Sequence, residues 1–315
     1  MPFFSTVIPS YNRRDLIGAT LDSVLAQEFS DNEIIVVDDG STDGTLDVLA
    51  RYGSRIRVIE QPNSGPGPAR NLGAKQAAGE YVAFLDSDDV WLPWALSTYR
   101  EVIARFPAAR IIAARHQDFF QHFNAAAIAR QDLACSFYES FLDSPRGWTL
   151  PSAMVLKAGT LEAAGGYTGD IRIVEDGDFW LRIGCAAGFV HIEAPTTVGY
   201  RIHPTGISQN WAGRAKGVFY LIDREQKDGY PGGPRYQRAR RDYICRHARP
   251  TSLQCAYHGL LGLAGRLYAA TALWNLQLWR VRYLAAFPTV LALSGLRSIA
   301  TRLSALLRSP DRLPR

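Results

Sequence analysis

Cysteine and methionine are scarce in this chain of 315 residues, at four and two. Cys135, Cys185, Cys245 and Cys255 are spaced like neither zinc ligands nor the disulfide framework of a small secreted domain, so they read as reduced and structural. Long apolar runs are also missing. The longest stretches free of Asp, Glu, Lys and Arg, at 250–265, 267–279 and 283–296, fall short of the roughly 18 to 20 residues that a spanning helix needs. The opening Met1 to Pro9 has no basic segment leading into a long apolar one, so no secretory signal is expected and the working site is expected to face the cytoplasm. No Gly-x-x-x-x-Gly-Lys-Ser/Thr loop and no dinucleotide glycine spacing occurs, which excludes the usual ATPase and dehydrogenase signatures. Internal repeats and low-complexity tracts are absent too.

What is present is the composition of an ordinary folded protein, 47% hydrophobic and 21% charged. The length favours one large α/β unit with an appendage. Charge divides the chain. Residues 1–212 hold 17 Lys and Arg against 25 Asp and Glu, whereas residues 213–315 hold 18 against 5. Between Asp242 and Asp311 there is no acidic residue, yet Arg246, Arg249, Arg266, Arg280, Arg282, Arg297, Arg302 and Arg308 punctuate a text rich in Leu, Ala and Trp. We therefore expect two parts, an acidic domain over 1–212 and a basic helical region over 213–315. The basic region has two readings: helices lying on an anionic membrane surface, or a helical subdomain packed on the rest with its arginines exposed. Nucleic acid is not expected as a partner, because no binding motif accompanies the charge.

The first hundred residues alternate short Val- and Ile-rich runs with helical spacing. Strands are expected over Phe4 to Pro9, Glu33 to Asp38, Arg55 to Glu60 and Tyr81 to Leu85. Helices are expected over Asp15 to Gln27, Thr42 to Tyr52, Ala69 to Ala77 and Leu92 to Arg105. Further strands are expected at Ala153 to Lys157 and Thr196 to His203, with a helix from about Asp178 to Cys185. Such alternation predicts an α/β fold with a mostly parallel, Rossmann-like sheet flanked by helices, whose ligands bind beyond the carboxyl ends of the strands.

Chemistry-bearing residues gather at those ends. Asp38 and Asp39 close the second strand, in Val37-Asp38-Asp39-Gly40-Ser41-Thr42-Asp43. Their carboxylates can accept from ribose hydroxyls or from a base imino group, although the stretch would equally serve as a turn with a helix cap. Asp86-Ser87-Asp88-Asp89 closes the fourth strand. Three carboxylates within four residues repel one another unless a cation intervenes, and Mg²⁺ or Mn²⁺ bound by one or two of them would complete its shell with water and substrate phosphates. That combination implies a diphosphate substrate. Between these strands, Asn63-Ser64-Gly65-Pro66-Gly67-Pro68-Ala69-Arg70-Asn71-Leu72-Gly73 forms a Gly/Pro loop opening a helix, where backbone comes close to a ligand and Arg70 supplies a cation.

Taken in order, Val7-Ile8-Pro9-Ser10-Tyr11-Asn12 and the three motifs above make the chain resemble glycosyltransferase family 2, with its GT-A fold, over roughly residues 3 to 210. The resemblance implies that Asp39 and Arg70 contact the nucleotide base, that Pro9 and Tyr11 line the same pocket, that Asp38 and Asp86 sit near base or ribose, and that Asp88 is the metal ligand. It also implies an inverting transfer from a nucleotide-diphosphate sugar, most often a uridine one, with Mn²⁺ or Mg²⁺ as cofactor.

A third constellation, Gly165-Gly166-Tyr167 followed by Glu175-Asp176-Gly177-Asp178, could be no more than acidic residues favoured by a helix dipole. Beside a nucleotide-sugar site it acquires a task, because inversion needs a carboxylate to take the acceptor hydroxyl's proton. The resemblance gives that role to Asp176, with Asp178 as its rival. His203, after a strand, is either a second metal ligand or an ordinary hydrogen-bonding residue. The Gln-x-x-Arg-Trp motif of processive relatives is missing at Ser208 to Trp211, so a single transfer to a glycan or lipid-linked acceptor is expected rather than polymerisation. Two alternatives stand beside it. A sugar-phosphate nucleotidyltransferase would need a basic Gly-rich loop that Pro9 to Arg14 does not resemble, and a non-catalytic nucleotide-sugar or glycan-binding module would need no base at Asp176.

Overall fold

The computed structural model describes residues 1–120, 123–145, 149–204 and 206–307, with side chains omitted for Ser208 and 297–307. Arg308, at the end of the basic text, lies outside the described residues, as do the side chains of Arg297 and Arg302. The chain divides into two compact units, Met1–Gly206 and Ile207 onward. That division falls ahead of the point marked by charge, because the turn at Ile207–Gln209 and Asn210, whose side chain accepts from the Gly213 N–H, already serve the helix that opens at Trp211.

In the first unit, β1 (Phe4–Ser10), α1 (Ile17–Leu25), β2 (Asn32–Asp38), α2 (Thr45–Ala50), β3 (Arg57–Glu60), α3 (Pro66–Lys75) and β4 (Tyr81–Phe84) follow the expected alternation. Then come β5 (Val90–Trp91), α4 (Ala95–Arg105), β6 (Ile111–Ala114), β7 (His116–Phe119), β8 (Ala134–Tyr138), β9 (Met154–Lys157), α5 (Thr160–Ala163), α6 (Glu175–Ile183), β10 (Phe189–Ala194) and β11 (Val198–Arg201). Eight strands form one sheet in the order β3-β2-β1-β4-β9-β6-β10-β8. Its first four strands are parallel, but β9 runs antiparallel to both β4 and β6, and β8 antiparallel to β10. The sheet is thus more mixed than the alternating pattern alone implied.

Both faces of the sheet are covered, and β2 shows how. Ile34 and Val36 enter the large core formed with Ile17, Leu21 and Val24 of α1 and with α4, while Ile35 and Val37 point the other way, onto Ala69 of α3. This is the period-2 alternation of a strand buried on two sides. Helix α3 approaches closely because it carries Gly73: a Cβ there would stand 2.4 Å from Val7 Cγ1 and 3.1 Å from Val37 Cγ2. A second sheet of three strands, β5-β11-β7, matters for the site. Pairing of Val198 with Trp91 and of Gly199 with Val90 carries the segment after β11 back to the carboxylates after β4. Helix α6 begins earlier than expected, because Val174 takes a left-handed φ of 69° and leaves Glu175, Asp176 and Asp178 in the first turn, where the macrodipole favours negative charge.

The second unit is helical: α7 (Trp211–Gln226), α8 (Gly233–Tyr257), α9 (Leu261–Gln277) and α10 (Val281–Leu307). Ile244, Ala248, Thr251 and Cys255 line the buried face of α8 at helical spacing. Glu225 of α7 and Arg240 of α8 are both buried and meet at 2.6 Å. Asp242 takes Arg246 and Arg280, so part of the basic text is neutralised inside this unit. Among the described residues no helix is long and apolar enough to cross a membrane.

Gly73→Ala should lower stability by about 1 to 3 kcal/mol, as overpacking of a filled core does, despite a gain of about 1 kcal/mol in helix propensity. Gly262→Ala, where nothing lies within 4 Å of the added carbon, should be neutral or stabilising. Urea unfolding of the two variants checks the contrast.

Candidate active site

The carboxyl ends of β1, β2 and β4 carry the polar residues that the motifs singled out, and the structure gives their carboxylates different tasks. Ser10 of β1 and Asp38 of β2 are register partners. Asp38 is buried; its Oδ1 accepts from the Ser41 N–H at 2.8 Å, while its Oδ2 and the Ser10 hydroxyl, both buried, have no hydrogen-bond partner among the described residues. Unsatisfied buried acceptors are costly, and a ligand bringing a hydroxyl or imino donor would satisfy this one. Pro9 is buried beside Ser10, and Tyr11 stands at the rim, 44% exposed.

Asp39 faces the protein instead. Its Oδ1 accepts from Gln61 Nε2 at 2.6 Å and from the Ser64 N–H at 2.7 Å, and its Oδ2 from the Gly65 N–H at 2.8 Å. A buried carboxylate with three donors organises the loop that opens α3. Gly65, with φ 99°, and Pro66 then start the helix, which delivers Arg70.

Arg70 is 3% exposed. Nη2 donates to Asp86 Oδ1 at 2.5 Å and Nη1 to Glu175 Oε1 at 2.8 Å, and the guanidinium lies 5.2 Å from the Tyr167 ring centroid. Burial works against its charge, but Asp86 and Glu175 outweigh burial and hold its pKa well above the ordinary arginine value. Glu175 shows the opposite balance: burial first, then the neighbouring Asp176, push its carboxyl up to about 7 against the pull of Arg70.

The three carboxylates after β4 separate in the same way. Asp89 is fully buried; its Oδ2 accepts from the Ser152 hydroxyl at 2.6 Å and its Oδ1 from the Arg201 N–H at 2.9 Å. Burial, together with Asp88 and Asp86, raises its pKa well above the carboxylate range. It is a structural hub joining the end of β4, the start of β9 and β11. Asp88 is partly exposed. Its Oδ2 lies 3.0 Å from His203 Nε2 and 3.1 Å from Arg13 Nη2. Burial opposes its charge, but His203 and then Arg13 prevail and lower its pKa.

Asp178, the rival for the role of base, is fully buried against Arg182 at 2.7 Å, and the same guanidinium donates to the carbonyls of Ala164 and Gly166. It braces α6 against the turn at Gly165-Gly166. Asp176 is half-buried on the same first turn. The sequence reading missed Arg13, Ser152 and Arg201. Arg13 directly follows the Tyr11-Asn12 motif and could have been found there; nothing in the spacing marked Ser152 or Arg201.

The donor set at Asp88 suits a hard divalent ion. A carboxylate oxygen and an imidazole nitrogen from remote segments converge there, with Asp86 nearby in sequence. Among the described residues no three His, Cys, Asp or Glu side chains make a complete cage, and Mg²⁺ and Mn²⁺ commonly take their remaining ligands from phosphates and water.

Residues 5–142 match the family model described as Glycosyl transferase family 2. A candidate teichuronic acid biosynthesis glycosyltransferase, TuaG of Bacillus subtilis (strain 168), is 51% identical over 94 residues, which cover 29% of this chain and 37% of TuaG. The poly(ribitol-phosphate) beta-N-acetylglucosaminyltransferase TarS of Staphylococcus aureus (strain Mu50) is 41% identical over 92 residues, 27% of this chain and 16% of TarS. The chain therefore spans well under half of either relative by sequence. The crystal structure of S. aureus TarS 1–349 in complex with UDP-GlcNAc superimposes with a TM-score of 0.63 at 18% identity, covering 92% of this chain and 90% of that one. Mannosyltransferase PcManGT from Pyrobaculum calidifontis, in complex with GDP-Man and Mn²⁺, gives 0.53 at 20% identity, with 94% and 87% covered. These structural likenesses carry the fold alone, and the fold is GT-A.

Two measurements separate the carboxylates of α6. Asp178→Ala should cost about 3 to 5 kcal/mol in urea unfolding, because it strands a partner of a buried ion pair. Glu175 binds its proton more tightly when folded, at about 7 against 4.5 in the free side chain. Its contribution to stability is therefore complete below about pH 4.5 and lost as pH rises through 7. The melting-temperature difference between wild type and Glu175→Gln should fall across that window; a flat difference would contradict the assignment.

Proposed function

We propose, from an amino-terminal segment (residues 5–142) that belongs to glycosyltransferase family 2, that this protein transfers a single sugar from a nucleotide-diphosphate donor to a glycan or lipid-linked acceptor, with inversion, in cell-surface polysaccharide synthesis. The observation that carries the reading is the pairing of an unsatisfied buried acceptor at Asp38 with an Asp88–His203 donor pair at the same sheet edge. One suits the nucleoside and the other a metal-bound diphosphate. TarS, solved with UDP-GlcNAc, and TuaG, named for teichuronic acid biosynthesis, support a uridine donor and a polymer acceptor. PcManGT, solved with GDP-Man and Mn²⁺, supports a divalent ion.

On this reading Asp38 and Ser10 receive the nucleoside, Pro9 and Tyr11 flank it, and Asp39, which the family resemblance places at the base, also holds the 61–65 loop. Arg70, which the resemblance also places at the base, fixes Asp86 beside the ribose. Asp88 and His203 would hold Mn²⁺ or Mg²⁺, which when bound offsets the charge that develops on the departing diphosphate. Asp176 takes the proton from the acceptor hydroxyl as its oxygen bonds to the anomeric carbon and the bond from that carbon to the diphosphate breaks. Asp178, locked to Arg182, is not available for that task.

The exposed apolar residues Leu273, Leu276, Trp279 and Val281 of the helical unit, in a basic stretch, favour a second role for that unit on an anionic membrane surface. Sedimentation with anionic vesicles that weakens as salt is raised would bear this out; equal sedimentation with neutral vesicles would remove its electrostatic part.

A panel of nucleotide sugars with Mn²⁺, scored by thermal shift and donor hydrolysis, tests the main reading. Asp176→Asn should retain donor affinity and lose about 10² to 10⁴ in turnover, the usual contribution of a positioned base. Unchanged turnover in that variant would reject the assignment.

A further inference from the structure

Arg13 has no part in the roles assigned above, yet its side chain is only 16% exposed and lies on the atom expected to hold the metal. Its Nε and Nη2 stand 3.2 and 3.1 Å from Asp88 Oδ2, the oxygen that His203 Nε2 also approaches at 3.0 Å. Its Nη1 donates to the carbonyls of Tyr11 and Asn12 at 3.3 and 3.1 Å, which fixes the orientation of the fork. The backbone beneath it is pinned independently of Asp88. Asn12 adopts a left-handed φ of 52°; its N–H donates to Ser41 Oγ and its Oδ1 accepts from the Thr42 N–H. The Arg13 N–H donates to Thr45 Oγ1 at 2.8 Å, and the Arg14 N–H to Asp43 Oδ2 at 3.1 Å. The turn after Asp38-Asp39 therefore sets where Arg13 stands.

A guanidinium keeps its charge at every working pH. A divalent ion on Asp88 would sit within a few ångströms of that charge and compete for an oxygen already bearing three nitrogens, so the two cations disfavour each other. A diphosphate changes the balance, because a guanidinium fork also matches phosphate oxygens. We propose that Arg13 is the resident counter-cation of Asp88 and a positioning residue for the donor diphosphate: it disfavours metal at Asp88 until a nucleoside diphosphate draws the guanidinium away, so that metal and donor bind with positive cooperativity. The inference rests on Asp88 as the metal ligand. Because such coupling is reciprocal, metal should tighten nucleotide binding by the same factor.

The test is Mn²⁺ binding to the full chain, followed by the electron paramagnetic resonance of free Mn²⁺ and by calorimetry, with and without uridine diphosphate and in parallel with guanosine diphosphate. For wild type, the nucleotide should tighten Mn²⁺ binding by about tenfold or more, within the usual range of allosteric coupling. In Arg13→Gln, Mn²⁺ alone should bind several-fold more tightly than to wild type, Mn²⁺ with nucleotide more weakly, and the nucleotide-induced gain should approach unity. Arg13→Lys, which keeps the charge without the fork, should retain weak binding of Mn²⁺ alone with a reduced gain, and it carries the test if the Gln variant fails to fold by circular dichroism. Unchanged or weaker binding of Mn²⁺ alone in Arg13→Gln, or a gain as large as that of wild type, would overturn the proposal while leaving Asp88 as a ligand. Absence of Mn²⁺ binding to wild type with either nucleotide would overturn both.

Discussion

The site depends on one buried cation. Arg70 enters on the first turns of α3 and finds Asp86 after β4 and Glu175 at the start of α6, so one guanidinium ties three segments that the sequence holds far apart. A buried charge is tolerated only when it is paired and hydrogen-bonded, and here the requirement becomes a geometric constraint. Were any of the three segments to shift, a charge would be left in a water-poor interior. Lysine could not substitute, since it lacks the two-pronged geometry that reaches both carboxylates at once.

Around that clamp the acidic residues fall into two groups. Asp39, Asp89 and Asp178 are buried, and each organises protein: the 61–65 loop, the junction of β4 with Ser152 and β11, and the turn at Gly165-Gly166. Asp38, Asp88 and Asp176 keep an unsatisfied atom, a partner that a ligand could exchange, or partial exposure. In each adjacent or near-adjacent pair, one carboxylate holds the frame and its neighbour is the one to which the proposed function gives a ligand. Since repulsion between neighbouring carboxylates grows with burial, the framing member needs the dense hydrogen bonding it has.

Much of this was legible in the sequence. The Val- and Ile-rich runs ending in Asp38 and Asp86 predicted strands whose carboxyl ends carry acidic motifs, and the Gly/Pro loop before Arg70 predicted the opening of a helix, which is α3. The insertion of β9 between β4 and β6 was not legible, because strand order depends on pairing between remote segments rather than on local period. Nor could spacing tell Asp88 from Asp89 or Asp176 from Asp178: which neighbour is buried follows from Ser152, Arg201 and Arg182, each placed by tertiary packing. His203 was left open between two roles, and the meeting of its ring with Asp88 follows from the pairing of β11 with β5, a two-residue strand too short to show in any periodicity.

The central claim is that the carboxyl ends of β1, β2 and β4 form a site for a metal-bound nucleoside diphosphate. Its most direct test is a crystal structure of the full chain grown with uridine diphosphate and Mn²⁺. The account predicts the nucleoside against Ser10, Tyr11 and Asp38, the ion on Asp88 and His203, and the Arg13 guanidinium turned from Asp88 to phosphate. A nucleotide bound elsewhere, or one bound at this edge with Mn²⁺ away from Asp88, would contradict it.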